Sequence, residues 1–423
     1  MCGIIGIVSR REVAPMLIEG LKNLEYRGYD SAGFTVIKNG AFVGYKDVGR
    51  VSNMESRLEP AAGAHIGMAH TRWATHGSPS QTNAHPHFSA DGRFAIVHNG
   101  IIENYSVLRE YLKKQGIEFK SETDSEVIAQ LIMHEHRNST MGAVRNAIER
   151  LEGTFGLLIL DREDPNRLIA VRQGSPLVLG IGDNEYFAAS DASALIQHTR
   201  QVIYLNDGEI ADLTLTGYRT STFADVTVVR EPTEIDWEIE QIEKGGFEHY
   251  MLKEIFEQPA ALRNTMAGRV KPEEGLVKLG GIGGLGDDFI RDLSRVVISA
   301  CGTAWHAGMV GEYIIEELAR LNVEVEYASE FRYRNPLVSP QDLMVVISQS
   351  GETADTLAAL REAKTRGARV MGVCNVVGST IAREAGMGIY THAGPEIGVA
   401  STKAFTTQVA SMTMLAIQWG RLR

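Results

Sequence analysis

The amino-acid sequence predicts two unlike folds in series: an α+β layered domain over residues 1–228, then a doubly wound parallel α/β domain over residues 285–423. Residues 229–284 are read as a connector and linking helix. Three observations carry this prediction. In the first half, strands joined by tight turns stand beside segregated amphipathic helices, the mark of an α+β domain. From Arg295 on, short and continuously apolar strands alternate with helices, as in a parallel sheet covered on both faces. Between them, EPTEIDWEIEQIEKGGFEHY (231–250) is charged, acidic and interrupted by Gly245-Gly246.

Bulk composition narrows the classes. The 423 residues are 44% hydrophobic and 22% charged, which excludes wholesale disorder. Lys and Arg number 42 against 53 Asp and Glu, and a net charge of −11 argues against a nucleic-acid or anionic-membrane partner. Three cysteines, Cys2, Cys301 and Cys374, are too few for a disulfide framework and suit a reducing compartment. No apolar run approaches membrane-spanning length, and MCGIIGIVSRREV lacks the basic start of a signal peptide, so a cytoplasmic protein is expected.

The elements follow in order. Cys2–Ser9 is a short apolar strand, and Val13, Met16, Leu17, Leu21 and Leu24 make one stripe of a helix. FTVIK-NG-AFVGYKDVG is a hairpin, because Asn39-Gly40 tolerates the positive φ of a two-residue loop. Helices are expected around 104–115 and 125–137, and short strands over 156–213. A helix near 251–265 opens the second domain. The glycine-rich LGGIGGLGDD (279–288) lacks both GxGxxG after a strand and Gly-Lys-Ser/Thr, and reads as a flexible loop. Beyond it, strands RVVIS, VEVEYA, LMVVI and RVMGVC alternate with helices, and a helix closes the chain.

Cys2 is the first residue with chemical promise. Removing Met1 before a small residue would leave a thiol and a free α-amine on one residue, and the amine (pKa about 8) could take the thiol proton. The plain alternative is a small apolar residue opening a buried strand. Other polar segments join it. HTRWATHG (70–77) offers Arg72, Trp73, Thr75 and His76 in a Gly-ended loop, and HNGIIEN (98–104) places Asn99-Gly100 after an apolar strand, where an amide and a backbone N–H could face an oxyanion. SETDSE (121–126) sets Asp124 at a helix start. Together they could grip an α-amino acid carboxamide. His76, His85 and His87 lie close in sequence, as do His134 and His136, but no Cys or HExxH spacing supports a metal site.

Residues 2–228 resemble the class II, N-terminal-nucleophile glutamine amidotransferases, whose fold is an αββα sandwich. The resemblance rests on MCGIIGI, YRGYDSAG, HTRWATHG, HNGIIEN and SETDSE. It implies that Cys2 attacks the glutamine amide while Asn99 and Gly100 hold the oxyanion. It further implies that Arg27, Arg72, Thr75, His76 and Asp124 bind glutamine, and that Trp73 gates the ammonia.

In the second half, SQSGET (348–353) follows a strand and opens a helix, which favours a bound anion. CGT (301–303) ends another strand. Two such loops at strand carboxyl ends suggest a phosphorylated metabolite, and nothing in Walker spacing points to a nucleotide. CGTAWHAG, SEFRYRNP, SQSGETADT and GPEIGVASTKAFTTQ resemble a sugar isomerase (SIS) domain, and the order of the halves resembles the glutamine–fructose-6-phosphate amidotransferases. That implies a sugar-phosphate site at Thr303, Ala304, Ser348, Gln349, Ser350, Thr353, Val399 and Ser401, with Ala304 standing where some relatives have Ser.

The substrates implied are L-glutamine and fructose 6-phosphate, with no cofactor and no metal, and a homodimer formed through the SIS domains. Members of that family continue into a second isomerase domain and tail bearing acid–base Glu, His and Lys residues, so this sequence is expected to be a C-terminally truncated piece with a complete glutaminase half. Two alternatives stay open: another class II amidotransferase or glutaminase without synthase activity, and a non-catalytic phosphosugar sensor.

Overall fold

The computed structural model describes residues 2–25, 28, 30–74, 76–235 and 244–423. The chain divides into two compact units, Met1–Ile239 and Glu240–Arg423.

Two antiparallel sheets build the first unit. One has eight strands and centres on Gly3–Val8, which is paired on one side with Ile66–Arg72 and on the other with Tyr186–Ala189. The other has seven and includes Phe94–Ile102, Gly153–Asp161 and Arg167–Gln173. Period-two alternation sorts the side chains. Ile4, Val8 and Met68 meet Ala95, Val97, Leu158, Leu160 and Leu168 between the sheets. Gly6 permits that approach, since a Cβ there would lie 2.7 Å from Leu158 and 2.8 Å from Leu168. On the outer face of the second sheet, Phe94, Ile96, Leu157 and Ile159 pack under the helices Tyr105–Lys114, Glu126–Glu135 and Thr140–Ile148. The helix Val13–Lys22 covers the first sheet. Helix, sheet, sheet, helix is the αββα order expected. The hairpin also falls as expected: Ser31–Lys38 and Ala41–Val48 are joined by Asn39 (φ 51°) and Gly40 (φ 73°).

The second unit holds a five-stranded parallel sheet in the order Asn322–Tyr327, Arg295–Ala300, Asp342–Ser348, Arg369–Cys374, Gly388–Tyr390. From Arg295–Ala300 the chain steps to one neighbour and then returns to the other. The order of strands therefore reverses beside that first strand, which opens a crevice at the carboxyl ends of Arg295–Ala300 and Asp342–Ser348. Helices Gly302–Ala319 and Lys403–Leu422 pack together on one face, with Trp419 fully buried among Leu343, Ile315 and Met412. Among the described residues no helix is long and apolar enough to cross a membrane.

The expectation of a flexible loop at 279–288 needs correcting. Gly280–Leu285 is a turn of 3-10 helix, and Ile282 and Leu285 sit in the core at 3% exposure. The apolar residues between the glycines supply the anchor that the glycine count concealed.

Truncating Trp419 to Ala removes the largest buried side chain of the second unit. Its unfolding free energy is expected to fall by about 3–5 kcal/mol. Urea titration followed by hydrogen exchange should show this loss in residues 244–423 and little change in residues 2–235.

Candidate functional site

Strand register places the nucleophile candidate. Gly3 pairs with Thr71, so Cys2 lies across from the end of the strand Ile66–Arg72. There the Trp73 backbone brackets the sulfur: its N–H donates to Cys2 Sγ at 3.2 Å, and its carbonyl lies 3.5 Å from the same atom. Burial pushes the Cys2 thiol up, while the Trp73 N–H and the nearby Arg72 guanidinium pull it down. The net shift is upward, so at neutral pH the sulfur is protonated and needs a base to become a nucleophile.

Asn99 and Gly100 sit in the strand Phe94–Ile102, and Asn99 reaches the same spot. Asn99 Nδ2 donates to the Cys2 carbonyl at 3.0 Å. Gly100 has φ +134°, and a Cβ there would lie 1.9 Å from the Thr154 carbonyl, so only glycine fits.

Arg72 is 4% exposed, and one terminal nitrogen donates to the His76 and Gly77 carbonyls. The other, Nη1, is buried without a hydrogen-bond partner. A buried guanidinium N–H left open is a ready donor for a carboxylate. Asp124, also 4% exposed, accepts from Ile102 N–H at 2.9 Å, which ties it to the strand that carries Asn99. His76 meets Tyr105 edge-on, and the Trp73 side chain is half exposed. Arg27 and Thr75 lie outside the described residues.

Some contributors went unnoticed in the sequence. Asn83 donates to Ser78 O at 3.0 Å and to Glu122 at 3.3 Å, and accepts from Glu122 N–H at 3.0 Å, so it clamps the segment after His76 to the one bearing Asp124. His70, His85 and His87 come together as a buried cluster, His70 stacked on His85 with centroids 4.0 Å apart and His87 edge-on to His85 at 4.6 Å. Burial holds all three below the usual histidine value, His70 at about 3. Among the described residues no group of three or more His, Cys, Asp or Glu is arranged to hold a metal. His134 is half-buried and hydrogen-bonded to Tyr111 OH at 3.0 Å.

In the second unit the loops 301–303 and 348–353 lie side by side, because Ala300 pairs with Ile347. Ser348 Oγ accepts from Gly351 N–H at 3.0 Å and shares a hydrogen bond with Thr353 at 2.9 Å, while Ser350 Oγ accepts from Glu352 N–H at 3.1 Å. Gly351 has φ +66°, and a Cβ there would meet Ser379 Oγ at 1.9 Å. These contacts curl the loop in front of the helix Ala354–Thr365, whose N-terminus has no side-chain cap. Thr303 is exposed and Ala304 buried in the first turn of Gly302–Ala319, and Gln349 is half-buried. The segment 394–402 reaches the same edge through Asn375, which donates to Gly394 O at 2.7 Å and accepts from Ala393 N–H at 2.8 Å. Val399 is 73% exposed, and the Ser401 hydroxyl donates to Glu396 at 2.8 Å. Glu254, on the helix Tyr250–Met266, is 2% exposed and accepts from Ile397 and Gly398 N–H at 2.5 and 2.9 Å. Sequence reasoning treated that helix as a link, yet it holds the loop that carries Val399.

A half-buried N-terminal thiol beside Asn99 in an αββα sandwich, ahead of a parallel domain with hydroxyl-rich loops at its switch point, defines the class as a glutamine amidotransferase joined to a sugar-phosphate domain. Family comparison agrees: residues 59–251 match the glutamine amidotransferase domain and residues 289–418 the SIS domain. A glutamine–fructose-6-phosphate aminotransferase (isomerizing) from Chlorobaculum tepidum is 56% identical over 99% of this chain and 69% of its own length. The one from Symbiobacterium thermophilum is 52% identical over 100% and 69%. A solved C-terminal domain of glucosamine-fructose-6-phosphate aminotransferase from Francisella tularensis is 42% identical, covering 43% of this chain and 50% of that one at TM-score 0.40. The chain belongs to the glutamine–fructose-6-phosphate aminotransferase family and spans about 69% of the length of the relatives it matches.

The buried histidine cluster makes stability depend on pH. His70, His85, His87 and His98 all titrate below the ordinary value because burial disfavours their charged forms. Above pH about 6.5 they are neutral in both folded and unfolded chains. As pH falls below that value the unfolded chain takes up protons that the folded one refuses, so stability is lost on acidification. His70, held at about 3, is expected to cost about 2 kcal/mol by pH 5, and the other three rings act in the same direction. Melting temperatures at pH 7.5, 6 and 5 should fall accordingly for the first unit, and His85→Phe should flatten the slope.

Proposed function

We propose that this chain takes the amide nitrogen from glutamine at Cys2 and delivers it toward fructose 6-phosphate held in the second unit, the nitrogen-transfer reaction for which its relatives are named. The observation that carries the glutaminase half is the open Arg72 Nη1, buried near Cys2 with no partner of its own. It suits the α-carboxylate of glutamine, with Asp124 the counterpart for its α-ammonium. Arg27, Thr75 and His76 complete the proposed glutamine grip, and Trp73 is the proposed ammonia gate.

The chemistry then follows from the Cys2 surroundings. Once Met1 is removed, the α-amine of Cys2 takes the thiol proton as Sγ bonds to the amide carbon. Charge develops on the amide oxygen, where Asn99 Nδ2 and the Gly100 N–H serve as donors. The C–N bond breaks, ammonia leaves with the transferred proton, and water releases glutamate from the thioester.

In the second unit, Thr303, Ser348, Gln349, Ser350 and Thr353 are the proposed phosphate ligands, backed by the N-terminus of Ala354–Thr365. Ala304 contributes its backbone N–H, and Val399 and Ser401 lie toward the sugar. The proposal includes self-association through this unit, which exposes Tyr313, Tyr333 and Leu337 at 71–81%.

Two measurements test the reading on the full chain. Glutamate release should be lost in Cys2→Ala; release at the wild-type rate there would rule out the nucleophile. Calorimetry with fructose 6-phosphate should show binding that Ser350→Ala weakens about tenfold, the size of one strong hydrogen bond to a charged ligand. An unchanged affinity in that variant would move the phosphate elsewhere.

A further inference from the structure

We propose that His70 is a positioning residue of the glutaminase reaction: as the neutral Nε2–H tautomer it holds the Asn99 amide with its NH2 group toward Cys2. The inference rests on the reading of Asn99 as an oxyanion donor and adds the residue that makes it one.

The argument is one of donors and acceptors. His70 Nε2 lies 3.1 Å from the His98 carbonyl and 3.1 Å from Asn99 Oδ1. A backbone carbonyl can only accept, so the hydrogen must reside on Nε2. An N–H facing Asn99 then requires the amide oxygen on that side. The NH2 group is left pointing the other way, where it donates to the Cys2 carbonyl at 3.0 Å. Turning the amide over would set N–H against N–H at His70 and oxygen against oxygen at Cys2. Both contacts are buried or nearly so, and no water could relieve them cheaply.

The ring is itself held. His70 is fully buried in the strand Ile66–Arg72 and stacks on His85 at 4.0 Å with planes 30° apart. Its Nδ1 is buried without a hydrogen-bond partner, so nothing there competes for the proton. Burial keeps the ring neutral to about pH 3, and the tautomer does not change across the working range. The chain of control runs from a backbone carbonyl to a tautomer, from the tautomer to an amide, and from the amide to the reacting centre. No cation is involved, so the donor is oriented without adding a charge beside the thiol.

The test uses glutamate release by the full chain in His70→Phe, His70→Gln, Asn99→Ala and the double variant. Loss of an oxyanion donor costs about 10²–10³ in kcat, and His70→Phe should approach the lower figure with KM for glutamine changed by less than about threefold. His70→Gln, which can still donate, should recover part of the loss. In the Asn99→Ala background, His70→Phe should change kcat by less than about twofold, because its only route of action is gone. Alkylation of Cys2 by iodoacetamide should proceed at the wild-type rate in His70→Gln, whereas a general disturbance of the site would alter it.

Nitrogen-15 spectra of the histidine-labelled wild-type chain add a reading that does not depend on a variant folding. They should show His70 neutral with its proton on Nε2 from pH 8 to pH 5. Wild-type kcat in His70→Phe, an equal loss with and without Asn99, altered alkylation in His70→Gln, or a proton on Nδ1 would each overturn the proposal. If the wild-type chain releases no glutamate, the glutaminase reading fails instead, and the spectra still decide the state of His70.

Discussion

The pairing of Gly3–Val8 between two neighbours decides where the chemistry of the first unit can be. A strand paired on both sides has no freedom of register, and a slip by one residue would turn Ile4 and Val8 out of the inter-sheet core. Cys2 is the residue just before that strand, so its place is set by the register and not by local preference. Across from it stand Arg72 and the Trp73 backbone, and the end of Phe94–Ile102 supplies Asn99 and Gly100. Apolar burial in the sandwich thereby aligns five polar groups that lie up to 98 residues apart in sequence. The hydrophobic term is not specific to any of them, but it makes their relative geometry rigid.

Within that frame, buried polar groups finish the work because each is costly to leave unpaired. Lys46 is an instance at the rim. Its ammonium donates to the carbonyls of Ala84 and Pro86 at 2.6 and 2.9 Å, and burial draws it down to about 8. It pins the segment carrying His85 and His87. In the second unit Glu254 and Glu396 do the same for the segment after Gly394: Glu254 takes the N–H groups of Ile397 and Gly398, and Glu396 those of Thr402 and Ala404. Burial pushes the Glu254 carboxyl up, and those two N–H groups pull it back toward the charged form.

Much of this was legible in the sequence, and the boundary has a physical cause. Periodicity and turn chemistry are local, so the Asn39-Gly40 hairpin, the strand–helix alternation after Arg295 and the loop SQSGET could all be read directly. The motif segments around Cys2, Arg72, Asn99 and Asp124 could be recognised for the same reason, each being a short run. What stayed hidden were residues that matter only through a partner remote in sequence. His70 was visible as the first letter of HTRWATHG but gave no hint that it meets Asn99, and Glu254 lay in a helix that looked like a link. Asn83 joins two motifs while belonging to neither. The apolar anchors of 279–288 were masked by glycine, whose count says nothing about which of the intervening residues are buried.

The two sites answer different electrostatic problems. In the proposed glutaminase site, negative charge would exist only while the tetrahedral intermediate lives, so useful donors are neutral and already aimed, and a permanent cation at that point would bind the ground state as well. The proposed donors, the Asn99 amide and the Gly100 N–H, are neutral and would fit that requirement, and Gly100 holds a φ that favours glycine. In the proposed sugar-phosphate site, the charge would be a phosphate that is present throughout. Its proposed ligands are hydroxyls and N–H groups at the start of Ala354–Thr365, with no Lys or Arg within 348–353. A helix terminus contributes about half a unit charge. That is enough to select an anion and weak enough to let a product leave. A protein of net charge −11 that must admit a phosphosugar and release another is better served by such a cradle than by a cluster of cations.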